Sequence, residues 1–170
     1  MARDVYVDAA LFMGMHSTDP AVRASCAAFF AEHLHRPVVM TYEEVGRCDD
    51  LVWSYPRQEQ DVYYPFMDVL HSLMPIRRRA YTPADWQALA HLPARADGLE
   101  LRERMLLASV LAAEGELVTV NPRLTALAAE GMPVRTPGRA SGAVRFEDGD
   151  DVLDALYRTS LTLEVDHAAV

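Results

Sequence analysis

The chain contains no lysine: all 16 of its basic residues are arginine. That excludes a lysine Schiff base, a catalytic lysine base and a lysine-bearing phosphate loop. Cysteine is nearly absent, and Cys26 and Cys48 alone cannot make a disulfide framework or a four-thiolate zinc site. His33 and His35 come closest to a histidine pair, but no cysteine stands at ligand spacing, so no zinc site is read there. No apolar run reaches the ~18 residues that a membrane span requires. Met1–Asp4 is charged and the run that follows carries Asp8, which is unlike a signal peptide. Gly-x-Ser-x-Gly and glycine-rich nucleotide loops are missing. Positive charge is also short: the formal net charge is −9, which opposes a non-specific grip on nucleic-acid phosphates. The expectation is a soluble, reduced, cytoplasmic protein.

What is present suits one ordinary domain. The 170 residues are 51% hydrophobic and 24% charged, enough apolar surface to bury a core. Val5–Met13 (VYVDAALFM) reads as one buried strand with a single acid inside it. Asp19 and Pro20 then open a helix over about Ala21–His33, with Val22, Cys26, Phe29 and Phe30 as its buried stripe. Pro37–Thr41 reads as a second strand passing into a helix over Tyr42–Trp53. Arg57–Met74 is helical, with Pro65 as a kink or break. Ile76–Ala80 is a strand or an extended linker, and Thr82 and Asp85 box the start of another helix. Leu99–Ala113 is the strongest helix, Glu116–Val120 a strand, Leu124–Glu130 a short helix and Pro133–Thr136 a last strand. Asp150–Ser160 closes as an amphipathic helix, its start marked by the acidic run Glu147, Asp148, Asp150 and Asp151, and the tail after Glu164 is expected to be loose. Alternating strands and helices predict a three-layer α/β/α fold with a mainly parallel central sheet.

In such a sheet, sites form at the carboxyl ends of the strands. Asp8 lies in the first strand, Glu43 and Glu44 follow the second, and Thr119 and Asn121 end the ELVTV strand. Glu100 and Glu103 lie in the first turns of the helix before it. Asp8 is expected at the carboxyl end of a central strand, facing Asn121. Acids from several chain regions at one edge suit a hard divalent cation with oxygen ligands.

The stretches VYVDAALFM, VVMTYEEVGR and ERMLLASVLAAEGELVTVNPRL resemble the PIN domain, a fold of Mg²⁺- or Mn²⁺-dependent ribonucleases that includes many bacterial toxins. The resemblance covers about Val5–Thr136 and implies a PIN-like domain over 1–142, with 143–170 as a helical extension packed on it. It implies that Asp8, Glu44 (or Glu43) and Glu103 (or Glu100) hold Mg²⁺ or Mn²⁺, and that the metal activates water against an RNA phosphodiester. The family's Thr-x-Asp is Thr-x-Asn here, so Asn121 replaces the fourth acid. Arg104 fills the position where the third acid is most naturally placed, and Thr119 and Arg104 stand as substrate contacts. The alternative is a catalytically inactive PIN-like module that binds a partner protein or forms a homodimer. Each acid also has a plainer reading: a hydrogen-bonded buried group for Asp8, and first-turn helix acids for the glutamates. Arg77–Arg79 reads as an RNA phosphate contact or as an ion-paired strand edge, and the aromatic-rich middle from Trp53 to Phe66 as core or as a ligand surface.

Overall fold

The computed structural model describes residues 3–147, 149 and 151–170. Five strands form one parallel sheet: β1 Val5–Val7, β2 Val38–Thr41, β3 Ile76–Arg79, β4 Glu116–Val118 and β5 Val134–Arg135, in the order β3-β2-β1-β4-β5. The chain winds outward from β1 through β2 to β3, then returns to place β4 and β5 on the other side. Tyr6 of β1 lies opposite both Val39 and Leu117, so β1 is central.

Alternation along the strands divides the interior into two cores. Val7, Val38, Met40 and Val118 point into one, against α1 Ala9–Gly14, α2 Pro20–Glu32, α3 Tyr42–Trp53, α4 Arg57–Leu73 and α8 Val152–Ser160. Tyr6, Val39, Leu117 and Val134 point into the other, where Leu106, Leu107 and Val110 of α6 Leu101–Ala112 and Leu124 of α7 Pro122–Thr125 cover them. The remaining helix, α5 Pro83–Ala88, packs on α6. The result is the expected three-layer α/β/α sandwich. No helix among the described residues is long and apolar enough to cross a membrane.

Three local expectations need correction. VYVDAALFM is not one strand: it pairs only over Val5–Val7, then turns into α1. Asp8 makes the break, because its side chain accepts the Leu11 N–H at 2.9 Å and caps the Ala-Ala start of the helix. Pro65 does not end α4, which runs unbroken from Arg57 to Leu73 with that proline on its exposed side. The tail after Glu164 is tied down rather than loose. Val165 donates its N–H to the His16 carbonyl at 2.9 Å, accepts from Thr18 N at 3.1 Å, and is buried together with Val170. Of the acidic run before α8, Asp148 and Asp150 lie outside the described residues; Asp151 pairs with Arg145 at 2.7 Å.

Gly14 sits where α1 meets α2. A Cβ there would stand 2.5 Å from Cys26 Sγ and 3.1 Å from Val120 Cγ2, so only glycine permits this approach. Cys26 and Cys48 are both free and buried, and burial raises both thiols well above their ordinary range.

The C-terminal segment is held through a buried histidine. His16 is fully buried, with Nε2 2.7 Å from Ser160 Oγ, while that hydroxyl donates to the Tyr157 carbonyl at 2.7 Å. Its ring therefore donates through Nε2, and Nδ1 has no partner among the described residues. Burial, aided by Arg23, lowers its pKa from 6.5 to about 3. The unfolded chain thus binds a proton that the folded one refuses, and stability is lost as pH falls from about 6.5 toward about 3. Urea titrations should show His16→Gln losing less stability than wild type over that window, by up to about 1.4 kcal/mol per pH unit. Parallel pH dependences for the two proteins would contradict this account of the anchor.

Candidate functional site: a closed acidic edge

The outward winding of the sheet reverses between β1 and β4, and a crevice for ligands is expected at the carboxyl ends of those two strands. The sequence-predicted acids meet there. Asp8 follows β1 and Thr119 follows β4. Glu44 is the third residue of α3; because β2 enters α3 with no loop, Thr41 caps the helix by accepting from Glu44 N at 3.3 Å. Glu103 holds the same position in α6, and Asn121 caps α7. Asp8, Glu44, Glu103, Thr119 and Asn121 are all 3% exposed or less. Glu43 and Glu100, the neighbours that shared the sequence argument, are exposed instead.

Every carboxylate oxygen in this cluster has a donor. Asp8 Oδ1 accepts from Leu11 N at 2.9 Å, and Asp8 Oδ2 from the Thr119 hydroxyl at 2.5 Å. Glu44 Oε2 accepts from Ala9 N at 2.8 Å, and its Oε1 from the Arg102 guanidinium at 2.6 Å. Glu103 Oε2 accepts from Glu100 N at 3.0 Å, and its Oε1 from both Asn121 Nδ2 and Arg123, each at 2.8 Å. Asn121 is held in turn: its N–H donates to Thr119 Oγ1 at 3.0 Å and its Oδ1 accepts from Arg123 N at 2.9 Å. Asp8 thus reaches the Asn121 backbone through Thr119, while the Asn121 side chain serves Glu103.

Two arginines that the sequence reading passed over supply the cations. Arg102 adjoins Glu103 in the chain but lies about 100° round the helix, so it reaches Glu44 while Glu103 reaches Asn121. Arg123 stands two residues beyond Asn121. Arg104, the residue expected in the site, turns away to Asp97 at 3.6 Å. With no lysine, arginine was the expected counter-ion for these acids, but nothing in the sequence said which arginine pairs with which acid. Arg77–Arg79 is an ion-paired edge in two of its three members, Arg77 on Asp4 and Arg79 on Asp85 and the Tyr6 hydroxyl.

Each of the six carboxylate oxygens already accepts a hydrogen bond, and two of the donors are guanidinium groups, so a divalent ion with oxygen ligands would compete with Arg102 and Arg123 for these acids. Among the described residues no three His, Cys, Asp or Glu side chains are grouped to hold a metal. Burial, and next the Glu44 charge, raises Asp8 from 3.8 to about 7. Two buried glutamates therefore face two arginines, with the third acid close to half-protonated at neutral pH.

Because the fold favours neutral Asp8, its contribution to stability is complete below about 3.8 and is lost as pH rises through about 7. Asp8→Asn keeps an acceptor for Leu11 N and stays neutral at every pH. Relative to wild type it should gain stability between about pH 4 and 7, at up to about 1.4 kcal/mol per unit, and hold that gain above. Urea unfolding at pH 5, 6, 7 and 8 checks this; a difference that does not move with pH would mean Asp8 is ionised throughout.

No curated protein matches this sequence. A family model described as "Family of unknown function (DUF6190)" matches residues 1–170, and the chain belongs to that family.

Proposed function

We propose that this protein is a catalytically inactive PIN-like module that binds a partner protein in the cytoplasm. The observation that carries the reading is the capping of all six carboxylate oxygens of Asp8, Glu44 and Glu103, with Arg102 and Arg123 standing where a metal's charge would act. A ribonuclease on the same frame would have to break the ion pairs of two buried glutamates with partly exposed arginines and admit both metal and phosphate to acids that solvent does not reach.

The surface over this edge supports the same reading. An open groove of about 530 Å³ runs beside Arg102, lined by Glu43, Asp49, Asp50 and Glu100 against Arg47 and Arg102. Both arginines are already paired, Arg47 with Asp50 at 3.7 Å and Arg102 with Glu44 at 2.6 Å. The groove is therefore net acidic and repels RNA phosphates. Trp53, which is 66% exposed, lines it, and Tyr42 and Leu101, 56% and 59% exposed, begin the two helices on either side. An acidic groove with apolar residues at its margin suits a polypeptide with cationic side chains.

Titrating Mn²⁺ while following thermal unfolding tests the proposal. Wild type should show no rise in midpoint, whereas an ion bound to the native state must raise it by mass action. Arg102→Gln should cost about 3 kcal/mol, because it leaves the buried Glu44 carboxyl without its partner. Asn121→Asp places a second carboxylate against Glu103 and should destabilise in a way that Mn²⁺ does not reverse. Stabilisation of wild type by Mn²⁺, together with RNA cleavage that Asp8→Ala abolishes, would replace this reading with the ribonuclease.

A further inference from the structure

On the other flank of the sheet, α3, α4 and the outer strands β2 and β3 enclose a cavity of about 240 Å³. Its polar lining is unusual for its lack of partners. Asp49, Asp68 and Arg78 border it, and no salt bridge or side-chain hydrogen bond engages any of the three among the described residues. This sets Arg78 apart from its neighbours Arg77 and Arg79, both of which are paired. Two further lining groups are buried without a hydrogen-bond partner: the Tyr64 hydroxyl and His71 Nε2. A buried polar atom left unsatisfied costs about 1–3 kcal/mol, so two on one cavity point to something that completes them. Met67 supplies an apolar, adaptable wall.

We propose that this cavity binds a small zwitterion of the α-amino acid type, its carboxylate on Arg78, its ammonium on Asp49 and Asp68, and its apolar side chain against Met67. The charges select this class. A plain anion meets two carboxylates, and a plain cation meets an unpaired guanidinium; only a molecule carrying both signs is matched. His71 is neutral at physiological pH, since burial, and next Arg78, lowers it to about 4, so it serves as a hydrogen-bonding partner and not as a third charge. The volume is about eight waters' worth, which admits a molecule of about ten non-hydrogen atoms and excludes a nucleotide.

The test is calorimetric titration of the full chain with L-leucine and L-methionine, compared with isopentylamine and isocaproate, which carry one charge each. Either amino acid should bind at least about ten-fold more tightly than the amine or the acid. Arg78→Gln and Asp68→Asn change exposed side chains, so both variants should fold, and each should weaken amino-acid binding by about ten-fold or more. Tyr64→Phe should weaken it too, because it removes a hydroxyl that borders the cavity and has no partner among the described residues. Absence of amino-acid binding, equal binding of the singly charged compounds, or unchanged binding in Arg78→Gln and Asp68→Asn would each overturn the proposal. Asp49 also borders the acidic groove, but none of these residues belongs to the buried cluster of Asp8, Glu44 and Glu103, so the result is independent of the Mn²⁺ titration.

Discussion

The structure depends on one constraint: three carboxylates are buried where β1 and β4 end, and each must be compensated from a distant part of the chain. Glu44 reaches back 35 residues to Ala9 N and forward 58 residues to Arg102. Asp8 reaches 111 residues to Thr119, and Glu103 reaches 18 to Asn121. These contacts fix the starts of α1, α3, α6 and α7 relative to one another at a point where apolar packing alone would leave them free to slide. A buried ion pair adds little net stability against a well-packed apolar substitute, but losing one partner is severe. The cluster therefore acts mainly as a device of specificity: alternative packings of the helix starts would strand a charge.

The same network decides what the edge can do. A carboxylate cluster that binds a metal must leave lone pairs converging on a space. Here each carboxylate oxygen instead accepts from a guanidinium, a hydroxyl, an amide or a backbone N–H. Outside that edge the surface offers a groove with an exposed tryptophan and a surplus of acids, and a separate cavity with two polar atoms that lack partners among the described residues.

Much of the architecture was legible because its signals are local. Thr82 with Asp85, Asp19 with Pro20, and Gly115 after the alanine-rich helix each mark a boundary by their own chemistry. The position of Asp8 was legible for the same reason, since an acid inside an apolar run must be either capped or paired. What it did there was harder to read. VYVDAALFM is apolar apart from Asp8, and a short apolar run does not distinguish a strand from a buried helix; only the Asp8 cap, a three-residue contact, breaks it into both. Arg102 and Arg123 were missed because pairing across 58 residues leaves no periodic trace. The tail was misjudged because the partners of Val165, His16 and Thr18, lie at the opposite end of the chain.

The absence of lysine now has a structural consequence. Lysine's ammonium is a strongly hydrated point charge that loses its proton readily when buried, whereas the guanidinium stays charged and spreads its donors over a planar fork. Arg102 is 20% exposed and spans from fully buried Glu44 toward Glu100 at 4.0 Å, so one side chain serves an interior charge and a surface one. Arg123 pairs its guanidinium with Glu103, while its backbone N–H, which any residue but proline would supply, holds Asn121. A lysine at position 102 could offer its charge to Glu44, but its compact head lacks the planar fork that reaches toward Glu100 as well. Closing an acidic edge from within thus calls for arginine specifically, and a chain whose every cation is arginine carries suitable groups wherever helix geometry brings one within reach.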